Sequence, residues 1–87
     1  MASLHVDIVT PQQNAYSGEA TEVSIISWEG EMGVLPGHDI HLNRIREGLT
    51  TLAGPDGKRS FQTGDGLVEV QGDRVTLLVQ SCEAVEE

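Results

Sequence analysis

Aromatic residues are nearly missing from this 87-residue chain, and Tyr16, Trp28 and Phe61 are the only three. Grooves that grip single-stranded nucleic acid stack bases on aromatic faces, so that class is a poor fit. Cations are scarce too: five Lys and Arg stand against fourteen Asp and Glu, for a formal net charge of −9. Such a surface repels phosphate backbones and anionic headgroups, and a cationic protein surface suits it better. The same acidity also serves plain solubility. Cysteine is limited to Cys82. One cysteine makes no internal disulfide, and small secreted domains usually need several, which points to a reducing, cytoplasmic setting. Cys82 follows an apolar run and reads as a packed thiol, not a nucleophile. No apolar run approaches the roughly 18 residues of a membrane span. No signal segment opens the chain. A role at a membrane would therefore need another protein to hold it there.

What is present is a short-strand alphabet. Apolar residues make up 38% of the chain, mostly Val, Leu and Ile. A domain this small buries only about 60–65% of its unfolded surface, so the core is modest. Leu4, Val6 and Ile8 alternate with Ser3, His5 and Asp7, the period of a half-buried strand. Pro11 ends it, since proline cannot donate to a ladder. Residues 15–17 read as a short second strand, and residues 21–27 are β-branched and strand-like. Residues 28–33 read as a glycine-punctuated loop, and Pro36-Gly37 as a turn. Ile40 and Leu42 then alternate with His41 and Asn43. Gly54-Pro55-Asp56-Gly57 is the clearest hairpin turn. Gly64-Asp65-Gly66 reads as a kink or bulge where glycine permits positive φ. Residues 67–71 and 74–80 form a second hairpin with Val68, Val70, Val75, Leu77 and Val79 on the core face. Eight to ten short strands without a helical period predict an all-β sandwich or flattened barrel. The sandwich is expected over residues 1–82, with 83–87 an acidic tail that frays or begins a helix.

The segment at residues 17–42, SGEATEVSIISWEGEMGVLPGHDIHL, carries a sharper signal. Its block Glu29-Gly30-Glu31-Met32-Gly33-Val34-Leu35-Pro36-Gly37-His38 fills, at every position, a pattern of the epsilon subunit of F-type ATP synthase. The opening residues 4–11 resemble that family's first strand. Residues 66–70 and 75–78 resemble its last hairpin. The order and spacing of the blocks match across nearly the whole chain. Departures are local: Asp39-Ile40-His41 follows the turn where the family has a small residue and Pro. Asp65-Gly66 replaces two glycines, and residues 80–83 lack the usual Ala-Asp-x-Ala.

The resemblance implies a β-sandwich that is not itself catalytic. It implies a place at the foot of the central stalk, between the gamma subunit and the c-ring, coupling ion-driven rotation to ATP synthesis. Glu31, with Glu29 and Met32 in support, is the implied c-ring contact. Taken by composition alone, both carboxylates read as ordinary solvated charges. Thr10, His38, Leu42 and Asn43 are the implied gamma contacts, although Leu42 also reads as core. Gly30, Gly33, Pro36, Gly37 and Gly66 are expected to shape turns. Many relatives carry a further helical hairpin that brakes hydrolysis or binds ATP. The chain stops where that hairpin would start, so no nucleotide site, cofactor or direct membrane insertion is expected in these residues. The implied location is peripheral, on the cytoplasmic face of an energy-transducing membrane.

Two rival readings remain at this stage. A β-sandwich of this size also suits a binding module for a peptide or carbohydrate. His38, Asp39 and His41 lie within four residues and include zinc-type ligands. On a strand, however, His38 and His41 point to opposite faces, and no further His or Cys lies nearby. No metal is therefore assigned. No nucleophile elbow or dinucleotide fingerprint is present.

Overall fold

The structure is a computed structural model that describes residues 3–37 and 40–85. Ten strands follow one another: β1 (Leu4–Val9), β2 (Asn14–Ala20), β3 (Glu22–Ser27), β4 (Gly30–Val34) and β5 (Ile40–Ile45). They continue as β6 (Gly48–Gly54), β7 (Gly57–Thr63), β8 (Gly66–Gln71), β9 (Arg74–Val79) and β10 (Cys82–Val85). The described residues contain no helix. The all-β expectation therefore holds, at the upper end of the strand count.

Hydrogen bonding joins the strands in the order β10-β7-β6-β3-β5-β8-β9-β1-β2, with β4 attached to β3. Neighbours are antiparallel except β1 and β9, which run parallel through Val6↔Val75 and Ile8↔Leu77. The link between β3 and β5 is a single pair, Ser27↔Ile45. At that corner the sheet folds back over itself, so β2 reaches the far end of the path. Tyr16 of β2 meets Phe61 of β7 there with ring centroids 5.1 Å apart. The result is a flattened, nearly closed barrel.

Alternation decides the core. Leu4, Val6 and Ile8 are fully buried while His5 and Asp7 lie on the other face of the same strand. Val68, Val70, Val75, Leu77 and Val79 are buried as the sequence implies, joined by Val23, Ile25, Ile45 and Phe61. Two polar side chains enter this core together. Thr50 and Thr63 place their hydroxyl oxygens 2.8 Å apart, and Thr63 also donates to Gly48 O at 3.4 Å. A buried hydroxyl without a partner costs about 1–3 kcal/mol, so the pairing allows both to stay.

Three sequence expectations change. Of the expected loop at residues 28–33, residues 30–33 are strand: β4 pairs with β3 from Val23↔Val34 to Ser27↔Gly30. Ladder pairing with an adjacent strand outweighs the poor strand propensity of Gly30 and Gly33. Residues 82–85 form β10 against β7, from Cys82↔Thr63 to Val85↔Ser60, in place of a tail or helix start. Finally, Gly66 does not use a positive φ. An ideal Cβ there would sit 1.9 Å from the Leu78 carbonyl oxygen, so what Gly66 supplies is room for the backbone of β9.

Candidate protein-interaction surface

The β3–β4 hairpin shows how the sequence presents its acidic edge. Trp28 and Glu29 form its two-residue tip, between paired Ser27 and Gly30. Gly30 has φ of 123°, a conformation glycine adopts without a Cβ penalty. Ser27 fastens the tip: its hydroxyl donates to Gly30 O at 2.7 Å and accepts the Glu29 N–H at 3.1 Å. Glu29 and Glu31 are exposed, and neither has a cation within 4.0 Å among the described residues. Met32 faces the other way. It pairs with Ile25, is half-buried and packs against the core. The hairpin thus sets Glu29 and Glu31 toward solvent but does not bring Met32 beside them. Gly33 lies within β4 and Gly37 in the bend after it, and neither has a positive φ.

Of the residues assigned to gamma, Thr10 follows β1, and Leu42 and Asn43 lie on β5. Thr10 closes the turn after β1: its N–H and hydroxyl both reach Gln13 O, at 2.8 and 3.1 Å. Leu42 is 61% exposed, so the core reading of this side chain is wrong. Strand β5 is inverted relative to its neighbours. Ile40 and Leu42 point outward while His41 and Asn43 are half-buried. Asn43 Nδ2 lies 2.9 Å from His41 Nδ1 and 4.0 Å from the Met32 sulfur. Leu42 and Asn43 therefore sit on opposite faces and cannot share one contact. His38 lies outside the described residues.

Leu42 shares its outward sheet face with two further leucines that the sequence reading did not assemble, although its own cross-strand partner is Glu69. Across β5, β8, β9 and β1 the outward row runs Arg44↔Leu67, Leu67↔Leu78 and Leu78↔Val9. Leu67 and Leu78 are both exposed. A shallow recess lined by Val9, Thr10, Pro11 and Leu78 ends the row. A signal for these residues exists in the sequence. Leu67 and Leu78 add an apolar residue at the outward parity of strands whose inward parity is already apolar.

Beyond this row the same sheet turns polar. His5 Nδ1 lies 2.9 Å from Glu19, and its Nε2 lies 3.5 Å from Asp7. Ser17 donates to Asp7 at 2.5 Å, and Arg74 lies 3.6 Å from the same carboxylate. The Ser17 hydrogen bond, followed by the charges of His5 and Arg74, holds the Asp7 carboxyl below its ordinary value against the opposing effect of burial. Hydrogen bonds from His5 and Ser3 lower that of Glu19. Burial pushes the Cys82 thiol up, the direction of an inert thiol. No group of three or more metal-type side chains converges among the described residues.

The family model described as "ATP synthase, Delta/Epsilon chain, beta-sandwich domain" matches residues 3–85. An ATP synthase epsilon chain of Bordetella avium is 40% identical over 79 residues, covering 90% of this chain and 56% of that protein. One from Nitrobacter winogradskyi is 36% identical over 87 residues, covering all of this chain and 64% of that protein. The chain thus spans less than two thirds of these relatives' own lengths. Among solved structures, a chain in the Euglena gracilis mitochondrial ATP synthase superposes with a TM-score of 0.88 at 20% identity, covering 97% of this chain and 54% of its own. One in the central stalk and c-ring of the Tetrahymena thermophila enzyme gives 0.75 at 12% identity, covering 92% and 65%. Those two likenesses concern the fold; the sequence match over residues 3–85 decides the family, and the chain belongs to the ATP synthase delta/epsilon chain family through its β-sandwich domain.

Proposed function

We propose that this domain is a non-catalytic rotor element of an F-type ATP synthase, attached to a gamma subunit by the outward face of β5, β8, β9 and β1. The observation that carries this reading is the set of exposed apolar side chains Ile40, Leu42, Leu67 and Leu78 on one sheet face. The epsilon-chain relatives and the fold likeness to a central-stalk chain support reading such a face as a stalk contact. A stalk joint of this kind buries about 1,200–2,000 Å² in total. Glu29 and Glu31 at the hairpin edge face the basic and polar loops of the c-ring. The chain is peripheral on the cytoplasmic side of the membrane and carries no nucleotide or active site in these residues. Chemistry takes place on other subunits, and this domain transmits torque.

The test is reconstitution. The wild-type chain is expected to co-purify with gamma and the c-ring. Leu42→Asp is expected to abolish retention by gamma while the circular dichroism of the free domain is unchanged. Glu31→Lys is expected to weaken retention by the ring. Full retention of the Leu42→Asp chain by gamma refutes the assignment of the face.

A further inference from the structure

Trp28, the only tryptophan, is 54% exposed at the hairpin tip. Two guanidinium groups lie over its ring: Arg46 at 5.1 Å and Arg44 at 5.4 Å from the centroid. These are two of only five Lys and Arg in the chain. In a protein with fourteen carboxylates, neither Arg44 nor Arg46 has one within 4.0 Å among the described residues. Two like charges at alternate positions repel each other, and the electron-rich ring face offsets only part of that. Trp28 borders two shallow recesses. One contains Leu42, Asn43 and Arg44, and the other contains Arg46, Glu47 and Asp65.

We propose that Trp28, Arg44 and Arg46 form a docking site for an acidic, extended segment of a partner protein, with one carboxylate on each guanidinium. Carboxylates match the planar fork of arginine in two-pronged pairs. Alternate residues of an extended segment repeat every 6.6 Å or so on one side of the segment, so two such side chains can meet the two guanidinium groups that flank Trp28. Trp and Arg are the residue types that dominate contact energy at protein interfaces. An anionic bilayer fits less well. Two arginines give only weak attraction to such a surface, and the rest of the chain carries net negative charge. Through Arg44 and Leu42 the site adjoins the face given above to gamma, but its test does not depend on that assignment.

Because Trp28 is the sole tryptophan, its fluorescence reports this site alone. The full chain is titrated at low salt with the hexapeptide of alternating glutamate and threonine. Parallel titrations use the lysine–threonine hexapeptide, inorganic phosphate and phosphatidylglycerol vesicles. The glutamate peptide is expected to give a saturable shift in emission that weakens as salt rises. The Arg44→Gln/Arg46→Gln double variant is expected to bind it at least tenfold more weakly. Removing the neighbouring negative charge with Glu29→Gln is expected to tighten binding. The idea is overturned by no saturable shift, by an equal response to the lysine peptide, or by a response confined to phosphate or vesicles. Unchanged affinity in the folded double variant also overturns it. Should that variant unfold, the Glu29→Gln result decides: tighter binding supports the site, and unchanged binding overturns it.

Discussion

Replacing Gly66 with alanine sets one methyl group against the backbone of the neighbouring strand. An ideal Cβ at this position lies 1.9 Å from Leu78 O, and 2.9 Å from both Leu78 C and Val79 Cα. Ordinary contact needs well over 3 Å, and these atoms are main chain, with no side-chain rotation to relieve them. Strand β8 is also held on its other edge, through Ile45↔Gly66. It cannot step aside without disturbing β5. The ladder between β8 and β9 must open near Gly66↔Val79. Overpacking of this kind costs about 1–3 kcal/mol, and each weakened ladder bond adds about 1 kcal/mol. The expected loss is about 2–4 kcal/mol. For a domain near this size, 1 kcal/mol moves Tm by about 4–8 °C, so the midpoint drops by ten degrees or more. Gly37→Ala is the control, because an added Cβ there meets open space and φ is not positive. It is expected to be neutral or slightly stabilising through a less flexible unfolded chain. Urea and thermal unfolding followed by circular dichroism measure both. A Gly66→Ala domain within 1 kcal/mol or so of wild type refutes the close-approach argument.

Removing the hydroxyl at Thr63 leaves Thr50 without its partner, whereas Thr50→Val leaves Thr63 bonded to Gly48 O. Thr63→Val is therefore expected to cost about 1–3 kcal/mol and Thr50→Val about 1, with the double variant recovering part of the loss; additive losses in urea unfolding refute the pairing. Asp7 has a folded pKa below its unfolded value of about 3.9, so its contribution to stability is present above that pH and lost as pH falls through the folded value. Urea midpoints of wild type are expected to fall more steeply below about pH 4 than those of Asp7→Asn, and parallel curves contradict this. In assembly assays Leu42→Asp is expected to do more harm than Glu31→Lys, and the reverse order counts against the apolar face as the main joint.

Several elements were legible because one physical rule governed each. Strand β1 and the β8–β9 hairpin follow strict alternation toward a one-sided core, and Gly54-Pro55-Asp56-Gly57 needs a tight turn. The elements that were not legible depend on distant partners. Strand β4 has poor propensity and exists because β3 offers an edge to pair with. Strand β10 is acidic and exposed but completes hydrogen bonds along β7. For β5 the period was read correctly, but period alone does not say which face is inside. Ile40 and Leu42 point out because His41 and Asn43 satisfy each other inside, next to Met32. The parity of Leu42 was thus decided by a polar pair in a neighbouring position. Glu29 and Glu31 stood out in the sequence; Leu67 and Leu78 show only as apolar residues at the outward parity of their strands, which marks exposure but not the surface they serve.

The inversion of β5 bears on how the domain attaches. Exposed apolar side chains do not stabilise the isolated domain, so folding alone gives no reason to point Ile40 and Leu42 outward. Covering them does: burying an exposed Leu or Ile contributes about 1.5–3 kcal/mol each. Scaled to their actual exposure, Ile40, Leu42, Leu67 and Leu78 together offer roughly 3–6 kcal/mol. An exposed ion pair at Glu31 offers about 0–1 kcal/mol. In the proposed rotor role, the joint would therefore draw its strength from the apolar face, with the acidic edge fixing orientation without dominating adhesion. That division suits a coupling between two moving parts, with one firm attachment and one weaker, screened contact. The polar pair His41–Asn43 is what makes it possible within a single strand, because it lets the inner face of β5 tolerate polar residues while Ile40 and Leu42 take the outer face ahead of Arg44.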